Sequence, residues 1–410
     1  WSVLFGVRGV MRRPRRAKRP AAMGGISLNR LAGGLSALCA VVGLGMVAAS
    51  PASAQDELLA EVVDFTGVVL YLETGVPGLI IGATRNGERA VSGFGSVSDK
   101  SDAEPDGDTL FRIGSVTKAF TGATLASMVA EGVVDFSDPA ASHLDWQTDV
   151  PTRDGRAIRL IDLVTHSAGL PREVEREHGP PDDPFGTLTA ETYAAALADD
   201  PLLFTPGTGA LYSNFGFDVL AAALAGAAGR PYAELLQERV LDPAGLADTV
   251  LQLRLGDEDR LLQGHSFDGT ALPDVEATPV MAGASSLYST VNDMLSWLDW
   301  HMETASTEHA EMRLLDHAAY LQRDGLAPVS GLDESGPMSA MGLGWVIMAP
   351  DGDRPLILQK AGGLQGVFSY AAFSPTRGIG AFVVISEFDF AAAQSMAGVV
   401  NDLIATLAPR

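Results

Sequence analysis

The chain has 410 residues, enough for one large or two intermediate domains with an ample core. Its 28 basic and 51 acidic residues give a formal net charge of −23, which would repel nucleic acid and anionic lipid. The single cysteine, Cys39, excludes an internal disulfide and a cysteine-based metal site.

The amino-terminal segment has the composition of an export signal. The first 54 residues contain eight basic and no acidic residues, and 31–49 form an apolar run. The run ends in ASPASAQ, whose A-x-A pattern at 52–54 predicts a secretory signal peptide over 1–54 and a periplasmic location. A retained transmembrane anchor is the alternative, and Met11 is a plausible start. Cleavage leaves 20 of the 28 basic residues against all 51 acidic ones, a formal net charge of −31.

Hydrophobic periodicity predicts strands at both ends of the mature chain. After a mixed acidic and apolar segment compatible with a helix, GLIIGATRNGERAVSGFG (78–95) indicates a hairpin that turns at Asn86-Gly87. Near the carboxyl end, GLGWVIMAP, PLILQKAGG, VFSYAAFS and IGAFVVIS predict strands, and a helix follows from about 390 to 407.

The middle of the chain is predicted to be helical. ETYAAALADD and FGFDVLAAALAGAAG are the clearest helical runs, and in STVNDMLSWLDW Thr290 and Asp293 resemble a capping box. This order predicts an α/β (α+β) fold. Its sheet domain combines 55–134 and 276–410, and a helical domain is inserted over 135–275.

Lysine is scarce in this chain, which makes the motif in FRIGSVTKAF informative. Only four of the 28 basic residues are lysines, and Lys118 follows Ser115 by three residues at the start of a helix predicted over 115–129. A buried lysine can lose its proton, whereas an arginine effectively cannot. A serine at a helix amino terminus sits in a positive field, and its N–H is free to bind an oxyanion. The alternative is an N-cap serine beside a surface lysine.

A second motif lies in GTGALYSNFGFDVL. Tyr212 and Asn214 are separated by one residue, so both side chains can point the same way in an extended segment. A tyrosine among lysines is expected to have a lowered pKa and to accept a serine proton, while Asn214 orients Lys118 and a substrate amide. The alternative is a turn in which Asn214 caps the following helix.

The third motif is LILQKAGGLQG, in which Lys360 is expected to end an apolar strand. Lys360 is a candidate for binding a substrate carboxylate and for lowering the pKa of Tyr212. Gly362 and Gly363 permit close backbone approach, with the Gly363 N–H as a second oxyanion donor. The alternative is an edge-strand lysine before a glycine turn.

The order S-x-x-K, Y-x-N and K-x-G resembles the penicillin-recognising serine hydrolases, in their class C β-lactamase-like branch. Further segments, LIDLVTHSAGLPRE, GLGWVIMAP and IGAFVVISE, are most similar to periplasmic D-alanyl-D-alanine carboxypeptidases/endopeptidases. The likeness covers about 78–403 and implies the β-lactamase/DD-peptidase-like fold, an antiparallel sheet flanked by helices. One departure is Ala361, which stands where the family usually has a threonine that assists carboxylate recognition.

The resemblance also implies a role for each motif residue. The catalytic group would be Ser115 as the acylated nucleophile, with Lys118 and Tyr212 sharing the roles of general base and general acid. The substrate-binding group would be Asn214 for the acyl amide, Lys360 for the terminal carboxylate, and Gly362 and Gly363 beside the oxyanion. His166, in THSAGLP, matches a family loop and is expected to be structural.

The predicted function is acyl-enzyme hydrolysis of peptidoglycan stem peptides, with β-lactams as further ligands. The alternatives are a β-lactamase or β-lactamase-fold esterase, and, from another class, a non-hydrolytic penicillin-binding receptor or scaffold. No metal or cofactor is expected, since the chain has no H-E-x-x-H motif and His301 and His309 are eight residues apart. The absence of G-x-S-x-G argues against an α/β-hydrolase. Peripheral inner-membrane contact of a soluble mature chain is left open.

Overall fold

The computed structural model describes residues 52–180 and 182–408, so most of the predicted signal peptide, with Met11 and Cys39, lies outside the described residues. The helices within the described part are α1 (Ala52–Thr74), α2 (Thr117–Ala130), α3 (Leu160–Val164), α4 (Ala190–Ala198), α5 (Asn214–Ala228), α6 (Tyr232–Leu236), α7 (Val291–Met302), α8 (Ala310–His317) and α9 (Phe390–Leu407). The strands are β1 (Gly78–Arg85), β2 (Glu88–Gly95), β3 (Phe111–Arg112), β4 (Thr152–Arg153), β5 (Arg156–Ala157), β6 (Ala210–Leu211), β7 (Tyr288–Ser289), β8 (Leu321–Gln322), β9 (Val329–Ser330), β10 (Ala340–Met341), β11 (Val346–Met348), β12 (Ile357–Leu364), β13 (Val367–Ser374) and β14 (Ile379–Ile385).

One antiparallel sheet joins the two ends of the described chain. Its strand order is β2-β1-β14-β13-β12-β11-β10-β8, and Leu79 of β1 lies opposite Ile385 of β14. The predicted hairpin is confirmed, because β1 pairs with β2 through a turn in which Asn86 and Gly87 have φ angles of 55° and 85°. Two positive φ values are typical of the type I′ turn that matches the twist of a hairpin.

The sheet is covered by helices on both faces, as the alternation of its side chains requires. Ile80 and Val384 belong to the larger core on one side, where α2 and α7 also pack, whereas Leu79 and Ile385 face the core beneath α1 and α9. Of the described helices, α9 alone has the length and composition to cross a membrane. One face of α9 packs against β13 and β14.

The predicted α/β (α+β) class is confirmed, and α4, α5, α7 and α9 coincide with predicted helices. Thr290 accepts the N–H of Asp293 at 3.1 Å, so it caps α7. The helix predicted from Ser115 instead begins at Thr117, because residues 114–116 form a 3-10 turn. The separation of 135–275 as an inserted domain stays a prediction.

The expected position of Lys360 at a strand end is wrong. Lys360 lies in the middle of β12, which pairs with β11 on one side and β13 on the other. The glycines after it continue the strand because β12 passes close to another backbone segment. A Cβ on Gly362 would lie 2.0 Å from the carbonyl oxygen of Ile113. The turn comes later, at Gln365 and Gly366, where both φ angles are positive.

Candidate active site

The predicted site residues meet at one pocket of about 560 Å³ beside the central sheet. Those that line it are Ser115, Tyr212, Lys360, Gly362 and Gly363. Lys118 and Asn214 lie immediately behind the nucleophile, hydrogen-bonded to each other. The structure therefore brings together residues up to 248 positions apart in the sequence, from α2 and the turn before it, from the start of α5 and the segment before it, and from β12.

Ser115 is placed by a close approach between two backbone segments. Gly114 has a φ of +52°, and a Cβ on it would lie 2.5 Å from the nitrogen of Gly363. The hydroxyl of Ser369, on β13, donates to the carbonyl of Ile113 at 2.9 Å and so ties the sheet to this turn. The backbone N–H groups of Ser115 and Gly363 are thereby neighbours, as two oxyanion donors must be.

Lys118 is buried beside the Ser115 hydroxyl, with its amine within hydrogen-bond distance of three oxygen atoms. Its Nζ lies 3.2 Å from the Ser115 Oγ, 2.5 Å from the Asn214 Oδ1 and 2.8 Å from the Ala284 carbonyl oxygen. Burial, reinforced by the charge of Lys360, holds the pKa of Lys118 well below its usual value. A neutral amine has two N–H donors and one lone pair. Asn214 and Ala284 accept the two N–H groups, which leaves the lone pair for the Ser115 hydroxyl.

Tyr212 is surrounded by cations, yet its expected lowered pKa is wrong. Lys118 Nζ and Lys360 Nζ lie 5.0 and 4.7 Å from its ring centroid, and the guanidinium of Arg172 lies 4.6 Å away. Burial raises the pKa of Tyr212 and outweighs the lowering by its hydrogen bond with Ser115 and by Arg172. The resting side chain is therefore a neutral phenol, which can donate a proton but is a poor first acceptor.

Asn214 is free for the site because another residue caps α5. Ser213 accepts the N–H of Gly216 at 2.9 Å and donates to the carbonyl of Pro171 at 2.6 Å. The alternative in which Asn214 caps the helix is therefore wrong. Its side-chain amide instead bridges two charged groups, accepting from Lys118 and donating to the carboxylate of Glu173.

Lys360 is buried in the pocket wall at 3% exposure. Burial, together with the charge of Arg172, lowers the pKa of Lys360 to about 7, although Glu334 opposes this shift. The amine of Lys360 therefore changes between its neutral and its protonated, cationic form near neutral pH. Ala361 lies beside it in the pocket, so the position of the usual threonine hydroxyl is apolar.

Three charged residues of the site were not predicted. Arg172 and Glu173 directly follow the THSAGLP segment, and their charges were the available signal. Asp218 is the single acid within FGFDVLAAALAGAAG, and a lone charge on a buried helix indicates a paired or functional group. It accepts from the hydroxyl of Tyr193 at 2.6 Å, and burial raises the pKa of Asp218 to about 8. When ionised, Asp218 partly offsets the lowering of the Lys118 pKa.

His166 lies behind the site and does not reach Ser115. Its ring stacks on Tyr212 with 4.6 Å between centroids, and its Nδ1 accepts the N–H of Ser213 at 3.0 Å. It is 2% exposed, and burial keeps its pKa well below its usual value. These contacts fit the structural role expected for it.

A second polar cluster, not predicted from the sequence, lies away from the pocket. His301, Asp316 and His317 bring metal-ligand-type atoms within 4.8 Å of one another. His301 Nδ1 and His317 Nε2 are 3.0 Å apart, and Asp316 accepts from the indole of Trp345 at 2.8 Å. Burial raises the pKa of Asp316 and lowers that of both histidines, which favours their neutral forms. The contacts describe a buried hydrogen-bond network between α7, α8 and the sheet.

Known proteins resemble this chain over most of its length. Residues 54–404 match the Beta-lactamase family. The chain is 32% identical over 372 residues to the D-alanyl-D-alanine-carboxypeptidase/endopeptidase AmpH of Escherichia coli (strain K12), covering 90% of this chain and 94% of that protein. It is 25% identical over 350 residues to a beta-lactamase of Pseudomonas fluorescens, covering 80% of this chain and 93% of that protein.

A solved structure shows the same arrangement of elements. The crystal structure of a beta-lactamase/D-alanine carboxypeptidase from Yersinia pestis, complexed with citrate, superposes with a TM-score of 0.77 at 32% sequence identity. The match covers 86% of this chain and 99% of that one. It supports the fold across nearly the whole described chain, including the strands and helices that carry the pocket.

Proposed function

The chain belongs to the beta-lactamase family and is a serine hydrolase, and from this premise we propose that it is a D-alanyl-D-alanine carboxypeptidase/endopeptidase that works through an acyl-enzyme. The observation that carries the proposal is the buried amine of Lys118, 3.2 Å from the Ser115 hydroxyl, in a pocket that Lys360 and Gly363 also line. The names of the relatives supply the substrate class.

Acylation begins with proton transfer from the Ser115 hydroxyl to the neutral amine of Lys118. The serine oxygen then attacks the carbonyl carbon of the scissile amide, and the N–H groups of Ser115 and Gly363 stabilise the oxyanion. When the C–N bond breaks, the leaving amine must gain a proton. The neutral phenol of Tyr212 donates it and recovers one from Lys118. Water then hydrolyses the ester and restores the serine.

Lys360 would bind the carboxylate at the end of the substrate, and Asn214 the acyl amide. Both groups face the nucleophile from different elements, so a peptide bound between them would present its last amide to Ser115. Ala361 removes one hydroxyl from the carboxylate site, and this observation favours a β-lactamase-fold esterase as the second candidate.

We also propose that the mature protein begins near Gln55 and is periplasmic. The match to the family begins at residue 54, next to the predicted cleavage pattern. Amino-terminal sequencing of protein recovered from the periplasmic fraction tests both statements. An intact amino terminus in the membrane fraction would support the retained anchor instead.

The substrate is tested with purified residues 55–410 and four substrates: a disaccharide pentapeptide, a cross-linked muropeptide dimer, a chromogenic cephalosporin and 4-nitrophenyl pentanoate. Loss of the terminal D-Ala or splitting of the dimer, detected by chromatography and mass, is the expected result. Ester cleavage with intact muropeptides would support the esterase. A stable cephalosporin adduct without turnover of any of the four substrates would support the non-hydrolytic receptor.

Replacement of the nucleophile, Ser115→Ala, is expected to abolish both labelling by a fluorescent penicillin and turnover, because no other hydroxyl occupies its position beside Lys118. Ser142→Ala, which removes an exposed serine elsewhere, is the matched control and should behave as wild type. Labelling retained in Ser115→Ala would refute the assignment of the nucleophile.

A further inference from the structure

Arg172 stands at the wall of the active-site pocket and is fixed there by its main chain. Its carbonyl oxygen accepts the N–H of Asn214 at 2.8 Å and the N–H of Phe215 at 3.3 Å. Its guanidinium lies 4.6 Å from the ring centroid of Tyr212, where a planar cation stacks favourably on an aromatic face. The side chain lines the pocket and is nevertheless 55% exposed.

The guanidinium of Arg172 has no close carboxylate of its own among the described residues. Its ion pair is with Glu173 at 4.0 Å, and that carboxylate already accepts the side-chain amide of Asn214. Arg323 differs from Arg172 in this respect, because its guanidinium donates two hydrogen bonds, of 2.6 and 2.8 Å, to the carboxylate of Asp333. In a chain with 51 acidic residues, an arginine held near the nucleophile without such a partner retains its fork of donors for a ligand.

Arg172 is also the permanent positive charge of the pocket. Burial lowers the pKa of Lys118 well below its usual value, and that of Lys360 falls to about 7. An arginine stays protonated at any physiological pH. Glu334 also lines the pocket and opposes this charge in part. An exposed guanidinium therefore offers a carboxylate a contact that does not depend on the protonation of Lys360.

The position of Arg172 indicates which part of the substrate it meets. Its carbonyl supports the turn that carries Asn214, the residue assigned to the acyl amide, whereas Lys360 and Gly363 belong to a different element, β12. A group that extends from the acyl part of a bound substrate would therefore pass Arg172.

We propose that Arg172 forms a second carboxylate-binding site, separate from Lys360, which selects substrates with a carboxylate on the acyl side of the scissile bond. This inference rests on the proposed function, since it needs a substrate acyl group at Ser115. The guanidinium fork would hold the two carboxylate oxygens by parallel N–H donors.

The test compares two matched pairs of acyl donors that differ by a carboxylate. Carbenicillin is benzylpenicillin with an added carboxylate on its acyl side chain, and the mono-4-nitrophenyl ester of glutaric acid matches 4-nitrophenyl pentanoate. Rates of acylation by the penicillins are measured by intact mass, and kcat/KM is measured for the esters. The proteins are wild type, Arg172→Gln, Arg172→Lys and Arg377→Gln, which removes an exposed arginine of the β13–β14 turn.

Arg172→Gln is expected to lower the rate ratio of the substrate with the acyl-side carboxylate to its matched partner without it by about tenfold or more, the effect of one charged hydrogen bond. Benzylpenicillin and 4-nitrophenyl pentanoate, which lack the acyl-side carboxylate, serve as the references, so a general effect of the substitution on reaction rate cancels in the ratio. Arg172→Lys should give an intermediate ratio, because a lysine keeps the charge and loses the fork, and Arg377→Gln should leave the ratio unchanged.

Two results would overturn the inference. One is an unchanged ratio in Arg172→Gln, and the other is an equal loss on both members of each pair, which would show a structural role. Both leave the proposed function standing, because wild type still reacts with benzylpenicillin or the neutral ester. A wild-type protein inert toward every acyl donor would refute the proposed function and this inference with it.

Discussion

At the scale of single residues, the central question is why the amine beside Ser115 belongs to a lysine. Lys118 is fully buried, and its amine donates hydrogen bonds to the side chain of Asn214 and the carbonyl of Ala284. An arginine would bring a larger, permanently charged group into a space that holds one nitrogen. The identity of this residue is therefore a matter of proton transfer as well as of charge.

Lys118→Arg is accordingly expected to be nearly as damaging as Lys118→Ala. Both should lower kcat/KM for 4-nitrophenyl pentanoate by about a hundredfold or more, the usual contribution of a general base. Lys100→Arg, at an exposed lysine, is the matched control and should have wild-type kinetics. If Lys118→Arg stayed within threefold of wild type, charge alone would be the requirement at this position.

Lys360 supplies a pH dependence with a defined sign. Its pKa is about 7 because burial and Arg172 disfavour the charged form. A carboxylate binds the protonated amine, so recognition of benzylpenicillin through Lys360 should weaken as the pH rises above 7. The ratio of kcat/KM for benzylpenicillin to that for 4-nitrophenyl pentanoate isolates this effect, because titration of the general base affects both substrates.

This ratio should therefore fall from pH 6 to pH 8 in wild type and stay level in Lys360→Gln. In Arg172→Gln the midpoint should move to higher pH, because the repulsion that lowers the Lys360 pKa is removed. A ratio that is independent of pH in wild type would contradict the carboxylate-binding role of Lys360.

At the scale of secondary structure elements, α2, which carries Lys118, packs closely against the backbone of a neighbouring turn. A Cβ on Gly122 would lie 2.0 Å from the carbonyl oxygen of Leu343, and one on Gly344 would lie 2.6 Å from the carbonyl oxygen of Lys118. The two glycines let the helix and the turn between β10 and β11 approach closely. The position of Lys118 thus depends on the absence of a side chain at Gly122, one helical turn further along α2, and at Gly344.

Gly122→Ala is expected to lower the free energy of unfolding by about 1–3 kcal/mol, as an added methyl group in a closed contact does. Gly398→Ala is the matched control, because Gly398 is an exposed residue of α9 with open space around its Cα. Better helix propensity should make that change neutral or stabilising by up to about 1 kcal/mol. Urea unfolding compares the two variants with wild type. A Gly122→Ala midpoint equal to that of wild type would show that α2 can shift at little cost in free energy.

Local patterns were sufficient to predict much of this architecture. The two short strand segments of 78–95 with their Asn-Gly turn predicted the β1–β2 hairpin, and a helix predicted from about 390 to 407 corresponds to α9. The i, i+3 spacing placed Ser115 and Lys118 together. These features depend on neighbours in sequence, for which backbone geometry is decisive.

Features that depend on distant contacts were not predictable in the same way. The raised pKa of Tyr212 comes from burial by several elements, and no local pattern reports it. Lys360 was expected before a turn because two glycines follow, whereas the glycines serve the close approach of β12 to Ile113. Arg172 meets Tyr212 across 40 residues of sequence, and only the folded chain shows that contact.

At the scale of the whole molecule, charge is the least balanced property. Residues 55–410 contain 51 acidic and 20 basic residues, so at least 31 acidic residues have no basic partner of their own. Ion pairs do form, as in the network of Arg254 and Arg260 with Asp248 and Asp257. Exposed pairs of this kind contribute about 0–1 kcal/mol each. Salt weakens these attractions and also weakens the repulsion among the unpaired acids.

Repulsion should be the larger of these two opposing effects, because the unpaired acids outnumber the bases. We therefore expect the Tm of residues 55–410 to rise by about 2 °C or more between roughly 10 and 200 mM NaCl, a shift that corresponds to about 1 kcal/mol in a chain of this size. KCl should act equally, since screening depends on ionic strength and not on the cation. A Tm that falls with salt would show that the ion-pair network outweighs the repulsion, despite the net charge of −31.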